Sequence, residues 1–498
     1  MRLDYLLEGQ EVLEQHGRRD IEITGLSTDS RRVKEGYLFI AVRGSSEDGH
    51  RYVADALRSG ARAIVVEYPE RTLAGATIVR VPDTRNAVAQ LASRFYDYPA
   101  RSLNLIGITG TNGKTTTSYL LESVLREAGR EVGVIGTIDY RFKENSFSAS
   151  LTTPEATDLM RIMGEMRDAR VTDLIVEVSS HSLDQGRIEG LQWSRAVFTS
   201  FSRDHLDYHG TMEDYFRAKS LLFESLEADQ RGEGAKAIIN MDDPKGRELE
   251  KLTRVPVISY GIDERSLVRA TDIESTTGGL RFRLATPWGE ITINSPLLGR
   301  INVHNIAAAA ATALSYEIEL ETVAWGIESL GYVPGRLQRV VNNSGLSIFV
   351  DYAHSPDALE KVLQTMRELT NGRLITVFGC GGDRDRGKRP EMGRIAGSYS
   401  DVVFITSDNP RGEDPGAIIR EIEPGAKESG LKRINSDPTA QQGYQIILDR
   451  REAIQAAVKA ADREDIVLIA GKGHEDYQII GAKRRHFSDV EEAARAAS

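Results

Sequence analysis

Cysteine is nearly missing. Cys380 is the only one among 498 residues, so no intrachain disulfide can form and a reducing compartment fits. Long apolar runs are missing as well. The longest alanine run, Ala307 to Ala311, falls far short of a membrane span. The N-terminal stretch MRLDYLLEGQEVLEQHG mixes acids with its apolar residues, unlike a signal peptide. A cytosolic location is expected. Neither sign of charge dominates: 63 Lys and Arg against 74 Asp and Glu leave −11. That mild acidity argues against general nucleic-acid binding, although local basic clusters can still hold a phosphorylated substrate. There is no repeat and no low-complexity tract.

What is present is an ordinary soluble composition, 40% apolar and 28% charged, in a chain too long for one core. Three α/β blocks are expected, at 1–100, 101–334 and 335–498. In the first, a strand is expected at Tyr37–Val42, a helix near Tyr52–Ser59 and a strand at Ala63–Val66. FYDYPAR, Phe95–Arg101, reads as a linker because Pro99 limits regular structure. The second opens strand, Gly-rich turn, helix, and continues with strands near Asp173–Val178, Ala196–Thr199 and Ala237–Asn240. A helix pattern covers Thr211–Leu226. This alternation implies a mainly parallel sheet. GLRFRLATPWGEITI, within residues 266–296, reads instead as an antiparallel hairpin. Helical patterns near His304–Tyr316 and Leu320–Leu330 end the block. The third block alternates strands near Ser347–Val350, Leu374–Phe378, Val402–Thr406 and Ile466–Ala470 with helical segments, a Rossmann-like pattern.

GITGTNGKTT, Gly107–Thr116, has the parts of a phosphate loop. The common spacing would need glycine where Ile108 stands. Gly110 and Gly113 still let backbone N–H groups turn toward phosphate oxygens. Lys114 can reach the outer phosphates and Thr115 can help hold Mg²⁺. The following helix points its positive end at the anion. A glycine turn before a buried helix is the plainer reading, but Gly-Lys-Thr-Thr between strand and helix favours ATP. Glu177, in IVEVSSHSLDQGR, ends a strand, where α/β proteins place ligands. His205 lies in FSRDHLDYHG. Both can ligate a metal, and a hydrogen-bonded histidine at a helix start is the rival reading of His205. Lys219, in YFRAKSLLF, reads by pattern alone as a solvated surface lysine. Thr153 and Pro154 in SLTTPEATDL read as a helix cap.

GTNGKTT, EVSSH, HLDYHG and AKSLLF together resemble the Mur ligase family, and the resemblance runs nearly the full length. It implies a small N-terminal UDP-binding domain, a central P-loop-type ATPase domain and a C-terminal domain that binds an amino acid and closes on ATP. It implies ATP contacts from Gly110, Thr111, Asn112, Gly113, Lys114, Thr115 and Thr116. It implies Mg²⁺ held by Thr115, Glu177, His205 and Lys219, the last as a CO₂-derived carbamate (N6-carboxylysine). Lys114, Lys219, Glu177 and His205 are the implied catalytic set. Thr28 and Ser30 map onto uridine-side positions, and Ser45 and Ser46 lie in a nearby, less well matched loop that also contacts the nucleotide. Thr152, Thr153, Ser179, Gln185 and Arg187 map onto further contacts with the nucleotide-sugar peptide. Asn305 in RINVHNIAAAAA, Arg336 in PGRLQRV, and Asp351, Tyr352 and His354 in DYAHSPDAL complete the implied ATP site.

Within the family the chain resembles the branch that joins meso-2,6-diaminopimelate to UDP-MurNAc-L-Ala-D-Glu. SDNPRGEDP carries its signature: Asp408, Asn409, Pro410 and Arg411. Diaminopimelate differs from lysine by one distal carboxylate. An arginine fork suits that group and would be left unpaired by lysine. Arg384 in GCGGDRDRGKRP, with Gly471 and Glu475 in AGKGHEDYQ, match the other acceptor contacts. A basic flexible loop is the bland reading of the first of these. The rivals are a lysine-adding ligase, the D-alanyl-D-alanine-adding relative, folylpolyglutamate synthetase and a plain ATPase or nucleotide switch. A monomer without nucleic-acid or membrane partners is expected.

Overall fold

The computed structural model describes residues 1–44, 47–68, 76–227, 234–434 and 442–498. The chain divides into two compact units, Met1–Ser259 and Tyr260–Ser498. Three α/β modules are present, as expected, and each of the two units contains at least one.

The first unit begins with a five-stranded sheet. Its order is Glu14–His16, Thr77–Arg80, Ala63–Val66, Tyr37–Ile40, Gly25–Ser27. Only the first pair is antiparallel. The helix Thr84–Phe95 starts at Asp83, whose carboxylate accepts from the Arg85 and Asn86 backbone N–H groups. The expected linker is structured: Pro99–Ser102 forms a 3₁₀ turn, and Asp97 and Tyr98 take positive φ, 59° and 48°.

The same unit then builds a sheet in the order Lys236–Asn240, Arg195–Phe198, Asn104–Thr109, Asp173–Glu177, Val132–Ile135. These five strands are parallel, and Asp139–Phe142 and Asn145–Ser148 extend it antiparallel. Asn104–Thr109 is flanked on both sides by parallel neighbours. The loops leaving it, Asp173–Glu177 and Arg195–Phe198 therefore share one sheet edge, where α/β folds place ligands. Apart from the half-buried Asn104, the central strands are buried along their length, as a parallel sheet covered on both faces requires.

In the second unit, Val268–Thr276, Gly279–Thr286 and Gly289–Ser295 form an antiparallel meander, extending the expected hairpin by one strand. Helices Ile301–Leu314 and Leu320–Glu328 follow. A six-stranded sheet runs Gln338–Arg339, Ser347–Asp351, Ile466–Ala470, Leu374–Phe378, Val402–Ile405, Gly443–Ile446. All pairs are parallel except the first. Alternate residues feed two cores: Phe349, Leu374 and Phe378 on one face, Ile348, Val350, Ile375 and Val377 on the other. A separate hairpin, Tyr477–Ile480 with Lys483–His486, was not expected from the sequence. No helix among the described residues is long and apolar enough to cross a membrane.

Candidate active site

In the first unit the site grows from the loop after Asn104–Thr109. Gly110 has φ +149°, and a Cβ there would lie 2.0 Å from the Thr199 hydroxyl oxygen, so only glycine fits this approach. The loop is tied to the strand-end segment beside it. Thr111 N–H donates to Ser200 O (2.7 Å), Thr199 donates to Asn112 O (2.6 Å), and Asn112 N–H donates to Ser200 Oγ (3.2 Å). Gly113, at φ +90°, starts the helix Lys114–Glu127. No side chain caps that terminus, which leaves its positive end for an anion. Thr116 is buried on that helix.

Two lysines converge on one carbonyl. Lys114 Nζ donates to Gly110 O (2.7 Å) and Thr111 O (3.0 Å). Lys219 Nζ donates to the same Gly110 O (3.0 Å). The solvated lysine read from pattern alone is corrected here: Lys219 is 1% exposed and lies 4.5 Å over the Tyr215 ring. The helix Met212–Glu224, capped by the Thr211 hydroxyl, turns this residue inward. Burial foremost, then the charge of Lys114, pushes the Lys219 ammonium well below the ordinary lysine range.

Glu177 is also 1% exposed. Its carboxylate accepts from the hydroxyls of Thr115 (2.9 Å), Thr137 (2.8 Å) and Ser118 (3.3 Å). A Cβ on Gly136 would come within 2.4 Å of it. Sequence reasoning missed Thr137 and Ser118. The signal for Thr137 was Gly136-Thr137 directly after the buried strand Val132–Ile135. Among the described residues, no ion pair joins Glu177 and no group of three or more His, Cys, Asp or Glu could hold a metal. A buried anion surrounded by hydroxyl oxygens, beside the phosphate-loop threonine, nonetheless fits a hard cation such as Mg²⁺. His205 is not among its hydrogen-bond partners. Its ring sits 4.9 Å from that of His181, at φ +52°, and burial lowers its pKa. Burial foremost, with His205 and His209, pushes His181 down to about 4.

Thr153 is corrected as well. The helix Ala156–Asp168 begins after Glu155 and has no side-chain cap. The Thr153 hydroxyl instead donates to Glu177 O (2.8 Å) and accepts from Ser179 N–H (3.0 Å). Its role is to tie this segment to the Glu177 strand end. Thr152 reaches Thr137 (3.2 Å). Ser179 caps the helix Ser180–Asp184. Arg187 donates to Thr153 O (3.0 Å) and Gln185 Oε1 (2.6 Å) and pairs with Glu155 (2.9 Å). Its buried Nε finds no partner among the described residues. Thr152, Thr153, Ser179, Gln185 and Arg187 are thus brought together beside Glu177. Thr28 and Ser30 sit where Gly25–Ser27 ends, Ser30 buried. Ser45 and Ser46 lie outside the described residues.

In the second unit the parallel strands again deliver their loops to one edge. Asp351 pairs in register with Ala470, so Gly471 follows beside it, and Gly471 N–H donates to Asp351 O (3.0 Å). The Asp351 carboxylate accepts from Leu337 N–H (2.7 Å) and Ala353 N–H (2.8 Å), and burial raises its pKa. Its role in the structure is to fix these two turns. Arg336 lies 4.8 Å over the Tyr352 ring, and Tyr352 contacts the rings of His354 and His474. Asn305 is buried on its helix and donates to Asn302 (2.8 Å).

Asp408, Asn409, Pro410 and Arg411 follow Val402–Ile405. Arg411 takes φ +51°. Its backbone is clamped by the unexpected hairpin: its N–H donates to Ile479 O (3.1 Å) and its carbonyl accepts from Gly481 N–H (2.7 Å). Its guanidinium donates to Gly382 O (2.8 Å). A Cβ on Gly381 would meet that guanidinium at 2.9 Å and Arg384 Cγ at 3.9 Å, so both arginines border one glycine. Arg384 itself is exposed. The neighbouring Arg389 is fully buried against Glu413 and Glu421, so the basic stretch is anchored rather than loose. Asn409 Nδ2 donates to Glu475 Oε2 (2.8 Å). A Cβ on Gly471 would lie 2.5 Å from Asp408 Oδ2.

Comparison with known proteins agrees along the chain. The Mur ligase middle domain matches residues 108–313, the Mur ligase glutamate ligase domain 335–473, and the Mur ligase family catalytic domain 22–96. A UDP-N-acetylmuramoyl-L-alanyl-D-glutamate–2,6-diaminopimelate ligase of Geobacter metallireducens is 47% identical over 501 residues, covering 100% of this chain and 98% of the relative. One of the same name from Oceanobacillus iheyensis is 43% identical over 499 residues, covering 100% and 99%. A solved structure under that name is 33% identical with a TM-score of 0.69, covering 100% of this chain and 98% of the other. MurF from Acinetobacter baumannii, 22% identical with a TM-score of 0.65 over 95% of this chain and 96% of its own, shares the fold. Phosphate loop, buried carboxylate and family matches coincide on the same segments, and the chain belongs to the Mur ligase family.

Proposed function

We propose that this chain is an ATP-dependent ligase that adds meso-2,6-diaminopimelate to the D-glutamate γ-carboxylate of UDP-MurNAc-L-Ala-D-Glu, in cytoplasmic synthesis of peptidoglycan precursors. The observation that carries the acceptor assignment is the Asp408–Arg411 loop. A rigidly held Arg411 stands beside Arg384 across Gly381, and Glu475 is tied to Asn409. Two guanidinium groups suit carboxylates, and a carboxylate suits an ammonium. An amino acid with a distal carboxylate and ammonium has the complementary charges.

The chemistry runs in two steps. An oxygen of the γ-carboxylate attacks the γ-phosphorus of ATP, the bond to the bridging oxygen breaks, and ADP leaves. The neutral amine of diaminopimelate then attacks the acyl phosphate carbon; the C–N bond forms, phosphate leaves and the amine gives up a proton. Lys114 and the N–H groups of the Gly110–Gly113 loop offset charge gathering on the phosphoryl oxygens. Thr115 and Glu177 would hold Mg²⁺, with His205 and Lys219 as further candidates; when bound, it neutralises phosphate charge. Thr153, Ser179 and Arg187 position the nucleotide-sugar peptide, and the buried, unpartnered Arg187 Nε favours a charged group there. Thr28, Ser30 and Ser45 belong to its uridine side, and Asn305, Arg336, Asp351 and His354 to the ATP site. Lys219 is the carbamylation candidate: burial foremost, then the charge of Lys114, favours its neutral amine, the form that attacks CO₂ with loss of a proton to give the carbamate. Labelling with ¹³C-bicarbonate should give a carbamate carbon resonance that disappears in Lys219→Ala.

The deciding test supplies ATP, Mg²⁺ and UDP-MurNAc-L-Ala-D-Glu with either diaminopimelate or L-lysine. Phosphate release and product mass are measured. Tripeptide formed only with diaminopimelate supports the assignment. Preference for lysine keeps the ligase and removes the acceptor assignment. Phosphate release without either amine returns the reading to an ATPase.

A further inference from the structure

The acceptor loops close over a group that none of the expectations used. Lys472 follows the buried strand Ile466–Ala470 by two residues and is 0% exposed. A lysine without solvent contact must be held by partners. Its ammonium donates to Glu475 Oε2 (3.0 Å) and Asn409 Oδ1 (3.2 Å) and stands 4.0 Å from Asp408 Oδ1. Three of the residues assigned to the acceptor therefore meet at one buried cation.

The hydrogen-bond accounting shows what each can still do. Asn409 Oδ1 accepts from Lys472 and from Ile479 N–H (2.9 Å), which uses both its lone pairs. One Nδ2 hydrogen goes to Glu475. Glu475 Oε2 is taken by Asn409 and Lys472, whereas Oε1 accepts a single long bond from Tyr477 (3.4 Å). The Glu475 side chain is 15% exposed. The arrangement immobilises one carboxylate oxygen and leaves the other with a single long hydrogen bond.

Resting on the acceptor assignment above, we propose that Lys472 is a positioning residue for acceptor selection: it does not touch the substrate, but locks Glu475 and Asn409 so that Glu475 Oε1 meets the substrate ammonium. Its positive charge also separates two neighbouring carboxylates, Asp408 and Glu475. The gain is preorganisation, since the polar groups need no rearrangement when the amino acid arrives. Gly473 lets the chain leave this lysine tightly. It has φ +55°, and a Cβ there would meet Tyr352 at 2.6 Å. Gly471, Lys472 and Gly473 thus form one unit in which the glycines supply the turn and the lysine fixes the carboxylate.

The test uses full-length Lys472→Met, Lys472→Gln and Lys472→Arg, with kcat and KM measured separately for diaminopimelate, ATP and UDP-MurNAc-L-Ala-D-Glu. For Lys472→Met, KM for diaminopimelate should rise about ten-fold or more, the scale of losing one charge-assisted contact. KM for the other two substrates should stay within about two-fold. Lys472→Arg, which restores the charge, should recover part of the loss. Lys472→Gln keeps a donor without the charge, so it should show the same split at smaller size, and it carries the test if the methionine variant does not fold. An unchanged KM for diaminopimelate, or equal changes for all three substrates, overturns the proposal. If the wild-type protein makes no diaminopimelate product, the functional assignment falls and this inference falls with it. If the wild type is active and the variants match it, only the role of Lys472 falls.

Discussion

At the scale of single residues, the two candidate sites depend on atoms that have almost no room to move. Gly471 is the clearest case. It combines φ +119° with a Cβ position 2.5 Å from a carboxylate oxygen. Gly471→Ala should cost about 1–3 kcal/mol through backbone strain and displacement of Asp408. Urea unfolding should register the loss, and KM for diaminopimelate should rise with it. Glu177→Gln tests the other site. The amide has nearly the same shape, and the three hydroxyls can rotate to suit it. The fold should persist, while kcat falls about 100-fold or more as the cation site loses its charge. Raising Mg²⁺ should recover part of the rate, and chelating it should abolish turnover of the wild type. Glu177 was marked in the sequence by its place at the end of a strand and by the family resemblance of EVSSH, and Gly471 by the resemblance of AGKGHEDYQ alone. Lys472 was not legible, and Thr137 was marked only by the Gly136-Thr137 step after a buried strand. Thr137 acts through the distant Glu177, and Lys472 joins the nearby Glu475 to the distant Asn409, a link that no local spacing records.

At the scale of elements, helix and strand placement followed from periodicity and punctuation. The strands Ala63–Val66, Leu374–Phe378 and Ile466–Ala470 stand where their apolar runs predicted, since a strand buried on both faces is a short run with no polar interruption. The hairpin Tyr477–His486 escaped because its burial is shallow and its second strand is fully exposed. Charged residues hide strand periodicity. The C-terminal helix Asp489–Ala496 is secured by a device equally invisible in sequence. Arg450 and Asp489 form an ion pair, both side chains 0% exposed, at 2.7 Å. Asp489→Ala should cost about 3–5 kcal/mol, because it strands a buried guanidinium rather than merely deleting a contact. Asp489→Asn, which keeps one acceptor, should cost less. Denaturant titration of both variants, followed by circular dichroism, measures the difference.

At the scale of the whole molecule, a chain with two compact units is not expected to unfold in one all-or-none step. Calorimetry should give a van't Hoff enthalpy smaller than the calorimetric one. A non-hydrolysable ATP analogue with Mg²⁺ should raise the midpoint of the transition that contains the phosphate loop, because a ligand stabilises the state it binds. Asp489→Ala should lower the other transition. A single transition with equal enthalpies would show that the units unfold together.

By itself the sequence determined the α/β class, the glycine-rich loop between a strand and a helix, and the succession of three α/β blocks, all encoded locally in periodicity and in residues a few positions apart; the acceptor signature was read from the family resemblance. The tertiary structure alone decided that Lys219 is buried beside Lys114, that Glu177 is ringed by hydroxyls, that Thr153 ties a strand end instead of capping a helix, and that Lys472 lies beneath the acceptor loops. Burial and long-range hydrogen bonding depend on which strand ends share a sheet edge. That neighbourhood is set by strand order, which no local stretch of chain records.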